Sequence, residues 1–360
     1  GDVSGNHGGG DYWVVKLNSA GNMEWQKCLG GSGWDRASSI QQTADGGYIV
    51  AGKTRSNDGD VSGNHGSGDY WVVKLNSVGE IQWQKCLGGS DNDVAYSIHQ
   101  TSDGGFIVAG KSYSNDGDVS GNHGSGDCWI VKLDSAGEIL WQKCLGGSDW
   151  DVAYSIQQTT DGGFIVAGYS HSANGDVSGN HGSADYWVVK LDSAGNIIWQ
   201  KCLGGSDWDV AYSIQQTTDG GFIVVGVSNS NDDDITGHHP GGYYDSDSTW
   251  YEYPDYWVVK LDSGGNIIWQ KSLGGSGSEW AKSIQQTTDG GFIIAGLSNS
   301  NDGDVSGHHP GGYYDSDSIW HEYTDYWVVK LDSAGNIIWQ KCLGGSSNDW
   351  ASSIQQTADG

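Results

Sequence analysis

With 45 acidic residues against 17 Lys and Arg in 360, the chain carries a net charge of −28 and a pI near 4.3, which excludes nucleic acid and anionic membrane surfaces as natural partners because both would repel it. No apolar run approaches the roughly 20 residues that span a bilayer, and aromatics at 11% exclude a disordered chain. The 60 glycines, 19 Trp and 18 Tyr, against 3 Pro, 4 Phe and 1 Met, point to pleated strands joined by tight turns.

The elements repeat. An Asp-[Tyr/Cys]-Trp signature opens at Asp11, Asp69, Asp127, Asp185, Asp255 and Asp325, spaced by 58, 58, 58, 70 and 70 residues. Such a period predicts one array over residues 1–360, with a core made by neighbouring units. The unit opening at Asp185 stands for all six. Tyr186–Leu191 is strand a, with Trp187, Val189 and Leu191 on one face. A turn at Asp192–Asn196 leads to strand b, Ile197–Leu203, which Gly204-Gly205 breaks. Strand c is Val210–Thr217, and an Asp-Gly turn at Thr218–Gly221 leads to strand d, Phe222–Val225. Strands a and d are apolar on both faces, as strands lying between two sheets should be. The helical period is absent. The expected fold is all-β, a six-bladed β-propeller of four-stranded antiparallel blades. The alternative is an open array of stacked four-stranded sheets. The chain opens in a loop at Gly1-Asp2-Val3, lacks a signal-peptide pattern, and closes in a hairpin at Asp359-Gly360, before the sixth strand d. It reads as a window on a longer array, or as a unit that assembles end to end through an unpaired edge.

Of six cysteines, Cys28, Cys86, Cys144, Cys202 and Cys342 share one repeat position, and Ser272 replaces the fifth. They read as small buried apolar residues. Cys128 replaces the Tyr of the signature across a predicted hairpin from Cys144, where a cross-strand disulfide is the alternative to two free thiols.

The wording DYWVVKLDSAGNIIWQKCLGGS resembles the blade motif of pyrroloquinoline-quinone-type propellers. With SIQQTTDGGFIVAG it also resembles the tandem repeats of large secreted or surface-displayed bacterial proteins, over nearly the whole chain. That resemblance implies a propeller-like extracellular scaffold. It does not imply a quinone enzyme, whose cofactor residues would be one of a kind.

Between strand d and the next strand a, oxygen side chains fall at Asp58, Asp60, Ser62 and Asp69, positions 1, 3, 5 and 12, with Gly63 at position 6. That is the ligand order of a calcium loop, and Ca²⁺ is the expected cofactor. The set recurs as Asp116, Asp118, Ser120 and Asp127, and as Asn174, Asp176, Ser178 and Asp185. It is partial at Asp2, Ser4 and Asp11. The last ligand is Asp and not Glu, and strands flank the loop, so this is not an EF-hand. The alternative is a loop of Asx turns in which these side chains bond their own backbone.

Two such loops carry a 12-residue insertion, within His238–Pro254 and His308–Thr324. Their first three positions persist as Asp232, Asp234 and Thr236, and as Asp302, Asp304 and Ser306. Asp255 and Asp325 are expected to be displaced, with Asp245, Asp247, Asp315 or Asp317 in their place. The insertions set Tyr243, Tyr244, Trp250 and Tyr251, and Tyr313, Tyr314, Trp320 and Tyr323, beside carboxylates, which suits glycan or protein contact. A self-packed loop is the alternative. The pairs His238-His239 and His308-His309 are weak transition-metal candidates, because adjacent strand residues point opposite ways.

Two further acids repeat: Asp35, Asp93, Asp151, Asp209, Glu279 and Asp349 after the Leu-Gly-Gly, and Asp45, Asp103, Asp161, Asp219, Asp289 and Asp359 in the c–d turn. Six-fold recurrence argues for hydrogen bonds to turn amides over a glycosidase pair. With no nucleophile–base, Walker or HExxH motif, the chain reads as non-enzymatic. The expected role is an extracellular structural or adhesive protein that self-associates or contacts surface glycan or protein. A carbohydrate-binding module using the two insertions is the alternative.

Overall fold

A computed structural model of the chain describes residues 2–244, 249–314 and 320–357, except for the side chains of residues 320 and 321. It is all-β, with no helix among the described residues, hence none long and apolar enough to cross a membrane. A pair, β1 (Tyr12–Leu17) and β2 (Met23–Leu29), precedes four-stranded antiparallel sheets. The first is β3 (Asp35–Gln42), β4 (Tyr48–Thr54), β5 (Asp69–Leu75) and β6 (Ile81–Leu87). The second is β7 (Asp93–Gln100), β8 (Phe106–Ser112), β9 (Asp127–Leu133) and β10 (Ile139–Leu145). The third is β11 (Asp151–Gln158), β12 (Phe164–Ser170), β13 (Asp185–Leu191) and β14 (Ile197–Leu203). The fourth is β15 (Asp209–Gln216), β16 (Phe222–Ser228), β19 (Asp255–Leu261) and β20 (Ile267–Leu273). The fifth is β21 (Glu279–Gln286), β22 (Phe292–Ser298), β25 (Asp325–Leu331) and β26 (Ile337–Leu343). Each insertion adds a hairpin: β17 (Gly242–Tyr244) with β18 (Trp250–Glu252), and β23 (Gly312–Tyr314) with β24 (Trp320–Glu322).

The four-stranded meander is the expected one, but its grouping is offset by two strands. A sheet is not a-b-c-d of one unit. It is c-d of one unit followed by a-b of the next, so β5 pairs with β4 across the acidic loop, Asp69 opposite Thr54. The long connector is therefore a hairpin excursion within a sheet. The short Leu-Gly-Gly turn makes the step to the next sheet. Its two glycines leave room for that step: a Cβ on Gly31 would lie 2.4 Å from Asp58 O.

The chain divides into two compact units, Gly1–Val166 with Ser172–Val177 and Leu191–Ile197, and Ala167–His171 with Ser178–Lys190 and Ile198–Gly360. In the first, the facing sheets β3–β6 and β7–β10 bury Ile49, Val72, Leu87, Ile98, Phe106, Val108, Trp129 and Leu133. In the second, β16, β19, β21, β22 and β25 bury Ile223, Tyr256, Val258, Phe292, Ile294, Trp327 and Leu331 in the same way. Strand a is buried on both faces, in β5 and β19 alike, as the apolar pattern predicts.

The signature Tyr and Trp tie one sheet to the next. Tyr70 lies with its ring 4.5 Å from that of Trp129, and its hydroxyl donates to Trp129 O at 2.9 Å. Tyr12 reaches Trp71, Tyr186 reaches Trp257 and Tyr256 reaches Trp327 in the same way. A buried hydroxyl without a partner would cost roughly 1–3 kcal/mol, so each bond fixes where the next sheet sits. Gly110 follows from this: a Cβ there would meet Val94 O at 2.0 Å and the Tyr70 hydroxyl at 2.7 Å.

Cys128 faces Leu145 and Cys144 faces Trp129 in the β9–β10 register, so the two cysteines are one step out of line and on opposite faces. Both are buried free thiols, and the disulfide alternative falls. The other four cysteines are likewise buried and free, as expected.

Replacing Tyr70 with Phe should cost about 1 kcal/mol, and Gly110→Ala about 1–3 kcal/mol by overpacking. Urea unfolding followed by Trp fluorescence measures both, and an unchanged midpoint for Gly110→Ala would contradict the close approach.

Candidate functional site

The acidic loops are built by hydrogen bonds onto the Leu-Gly-Gly turn ahead of their own sheet. Asp58 Oδ1 accepts the amide of Ser32 at 2.8 Å, and Asp60 Oδ2 that of Gly30 at 3.2 Å. Ser62 Oγ meets Gln84 Nε2 at 2.6 Å, and Val61 is buried beneath. Gly63 takes the sharp turn with φ +87°, as a position-6 glycine should. Asp116, Asp118 and Ser120 repeat these contacts on Ser90, Gly88 and Gln142. Asn174 and Asp176 do so on Ser148 and Gly146, and Ser178 on Gln200. Asp232, Asp234 and Thr236 bond Ser206, Gly204 and Gln270, and Asp302, Asp304 and Ser306 bond Ser276, Gly274 and Gln340. The amide of Ser32 holds the exposed Asp58 carboxyl below its ordinary range.

The twelfth residue goes elsewhere. Asp69 Oδ2 accepts both the amide and Nδ1 of His65, at 2.8 and 2.7 Å, and Asp127 and Asp185 do the same with His123 and His181. Burial raises the pKa of all three carboxyls. Burial alone would lower His181, but the hydrogen bond and charge of Asp185 raise it. Among the described residues no three His, Cys, Asp or Glu side chains are grouped to hold a metal. The sequence reading missed this His. Its signal is Asn-His-Gly, four residues before Asp69, Asp127 and Asp185.

The insertions keep the same contact. His239 Nδ1 lies 2.9 Å from Asp255 and His309 Nδ1 lies 2.8 Å from Asp325, now 16 residues apart. Asp255 and Asp325 are thus not displaced, because each hairpin is spliced in between His and Asp and loops out. Asp245, Asp247, Asp315 and Asp317 lie outside the described residues. Of the paired histidines, the second makes this clasp and the first is buried, His308 Nε2 lying 2.8 Å from Tyr323 O.

The first hairpin carries a ladder of aromatics. Tyr243 stacks on Tyr251 at 5.5 Å, and Tyr244 meets Trp250 edge-on at 4.8 Å. Self-packing leaves much of them in solvent: Tyr244 is 68% and Trp250 43% exposed. In the second hairpin Tyr313 and Tyr314 are also exposed, Tyr323 packs on Tyr313 at 5.8 Å, and the Trp320 side chain lies outside the described set.

The two repeated acids are structural, as expected. Asp35 accepts Gly31 N and Ser56 Oγ, at 2.9 and 2.8 Å, and Asp209 takes the equivalent Gly205 and Ser230. Asp45 accepts Thr43 Oγ1 and Gly47 N, and it also pairs with the buried Lys74 at 2.9 Å. Asp359 lies outside the described residues.

No family model matches the chain. The regulatory protein FlaEY of Caulobacter vibrioides is 27% identical over 178 residues, covering 46% of this chain but only 18% of that protein. A Bacteroides caccae protein of unknown function overlays 93% of this chain and 92% of its own, at TM-score 0.49 and 14% identity. The quinone domain of pyranose dehydrogenase from Coprinopsis cinerea overlays 99% and 94%, at 0.41 and 12%. The Neurospora crassa Pan2 WD40 domain overlays 85% and 66%, at 0.45 and 11%.

Stability should fall as pH rises from about 4 to 7.5. Burial raises Asp209 to about 6 and Glu279 to about 7, so the native state holds protons there that the unfolded chain has released. Burial would also raise Asp219, but Thr217 and Lys260 outweigh it and bring it to about 2. Its contribution is present above the ordinary Asp range and is lost as pH falls towards 2. Melting temperatures across this range should show Glu279→Gln flattening the neutral limb; an unaltered slope would contradict the assignment.

Proposed function

We propose that the chain is a non-enzymatic, extracellular repeat scaffold that uses its two insertion hairpins for contact. The carrying observation is the exposed aromatic ladder of Tyr243, Tyr244, Trp250 and Tyr251, on an element that interrupts an otherwise repeated design. Hydrogen bonds from turn amides to Asp35 and Asp45 support reading the repeated acids as parts of the scaffold. Four-stranded antiparallel sheets suit propeller blades, and six blades are the proposed arrangement. An extracellular setting is supported by the resemblance to surface-displayed tandem repeats.

The primary role is adhesive or structural, with self-association of a second copy as one form of it. Negative stain and sedimentation of the purified chain test this: filaments or a pelletable assembly support an open, polymerising array, and a compact monomer supports a closed ring. The second reading is a carbohydrate-binding protein, favoured by the aromatic hairpins. It predicts glycan-array binding that falls at least about tenfold in Trp250→Ala, a loss of about 1.4 kcal/mol.

Calcium uptake by the loops belongs to the same proposal. Its support is the Asp58, Asp60, Ser62 order and the turn at Gly63. An ion would compete with the amides of Ser32 and Gly30 and would lack Asp69, so the affinity expected is that of weak extracellular sites, about 0.1–1 mM. The melting temperature should rise in about 5 mM Ca²⁺ relative to EDTA, a concentration above that range. Coincident melts would remove calcium from the proposal.

A further inference from the structure

We propose that the polar cavity between the two insertions is a binding site for a neutral pyranose sugar. This rests on the carbohydrate reading above and names its subsite. The cavity holds about 520 Å³ and lies wholly within the second compact unit. It is lined by Tyr253 at the end of the first insertion, by Gly277, Asn299, Asn301 and Asp302, and by Glu322 of the second insertion.

Departures from the repeat meet here. Gly277 stands where three earlier units carry Asp91, Asp149 and Asp207 and the first carries Gly33. A Cβ at 277 would lie 2.2 Å from Asn299 Oδ1 and 2.9 Å from Ser300 Oγ, so a side chain there would push on two groups that line the cavity. Tyr253 and Glu322 exist only because two successive loops carry insertions. A cavity lined by residues of two insertions is not a by-product of the repeat.

The chemistry selects the ligand. The lining is held before any ligand arrives: Asn299 Oδ1 accepts Ser278 N at 2.5 Å, Ser300 Oγ accepts Gly277 N at 2.7 Å and Asp302 Oδ1 accepts Ser276 N at 2.7 Å. The Asn299 amide nitrogen keeps its donors. His308 also lines the cavity, and its Nε2 donates to Tyr323 O. The lining offers both donors and acceptors, and Asp302 with Glu322 disfavours anionic ligands. A ring of hydroxyls that both donate and accept, with an apolar face for Tyr253, meets those demands, and the volume falls in the usual range for small ligands.

The test uses the full chain, a panel of methyl glycosides of neutral hexoses and N-acetylhexosamines, and titration calorimetry. Binding is expected for at least one sugar, weakened at least tenfold in Asn301→Ala and abolished in Gly277→Asp, which introduces the side chain that three earlier units carry. Asp207→Gly, one repeat earlier, should bind as the parent does. Matching melting temperatures exclude misfolding, and Asn301→Ala remains informative if Gly277→Asp is unstable. Binding that survives both cavity variants but is lost in Tyr244→Ala with Trp250→Ala would overturn the cavity site and leave the carbohydrate reading standing on the hairpin faces. Absence of binding by every glycoside would overturn the site and leave the adhesive reading to its own test.

Discussion

The contact that sets most steps of the array is the buried hydroxyl of Tyr12, Tyr70, Tyr186 or Tyr256 donating to the main-chain carbonyl of the next unit's Trp, a bond that Cys128 in the same position does not supply. Apolar packing between sheets tolerates sliding, because dispersion has little direction. A single hydrogen bond in a fully buried site does not, since a slip would strand the hydroxyl. It therefore converts a greasy interface into one with a register. The demand propagates: Gly52, Gly110, Gly226 and Gly296 each lie against that hydroxyl, where any side chain would collide. Two sequence features, a signature dipeptide and an isolated glycine inside an apolar strand, are thus one constraint seen from both sides.

The same logic accounts for the acidic connectors. A fourteen-residue excursion such as 55–68 exposes many main-chain amides and carbonyls, and those of the Leu-Gly-Gly turn beneath it need partners. Asp58 and Asp60 supply acceptors to Ser32 and Gly30, and Asp60 N returns a bond to Gly30 O. Asp69 then seals the loop onto strand a through His65. Much of the net negative charge is therefore structural acceptor capacity, aimed at turn amides by short side chains. This is also why a calcium-like order of ligands can arise: an oxygen at every second residue of a tight turn serves amides as well as it serves a cation.

Strand identity was largely legible in the sequence. Strand b is Ile197–Leu203 in both readings, and strand c shifts by one, to Asp209–Gln216. Strand d is longer than its apolar run, because the chain continues extended through Gly226 to Ser228. That glycine reads as a stop by itself and makes sense only with Tyr186 in place. Sheet grouping was not legible. Loop length suggests that the long acidic connector separates blades, whereas pairing of Thr54 with Asp69 places it inside one. Length constrains loop closure only weakly, so it carries little information about which ends meet. The His–Asp clasp was hidden for a related reason. Its four-residue spacing becomes sixteen in the inserted units, and only coordinates reveal that His239 and Asp255 still meet.

Repetition itself separates architecture from recognition. A side chain that recurs with the same partners in successive units, such as Asp35 or Asp45, is explained once its hydrogen bonds are drawn. The two inserted hairpins are what the repeat does not require. They set aromatics in solvent, as the turns do with Trp34, Trp150 and Trp350, whereas strand a buries Trp71, Trp129, Trp257 and Trp327 completely. Exposed aromatic surface carries a standing cost in solubility and invites association. Its placement on hairpins spliced into a loop whose His–Asp closure remains intact leaves the supporting sheet undisturbed. Such an arrangement lets the exposed surface vary without touching the bonds that hold the array.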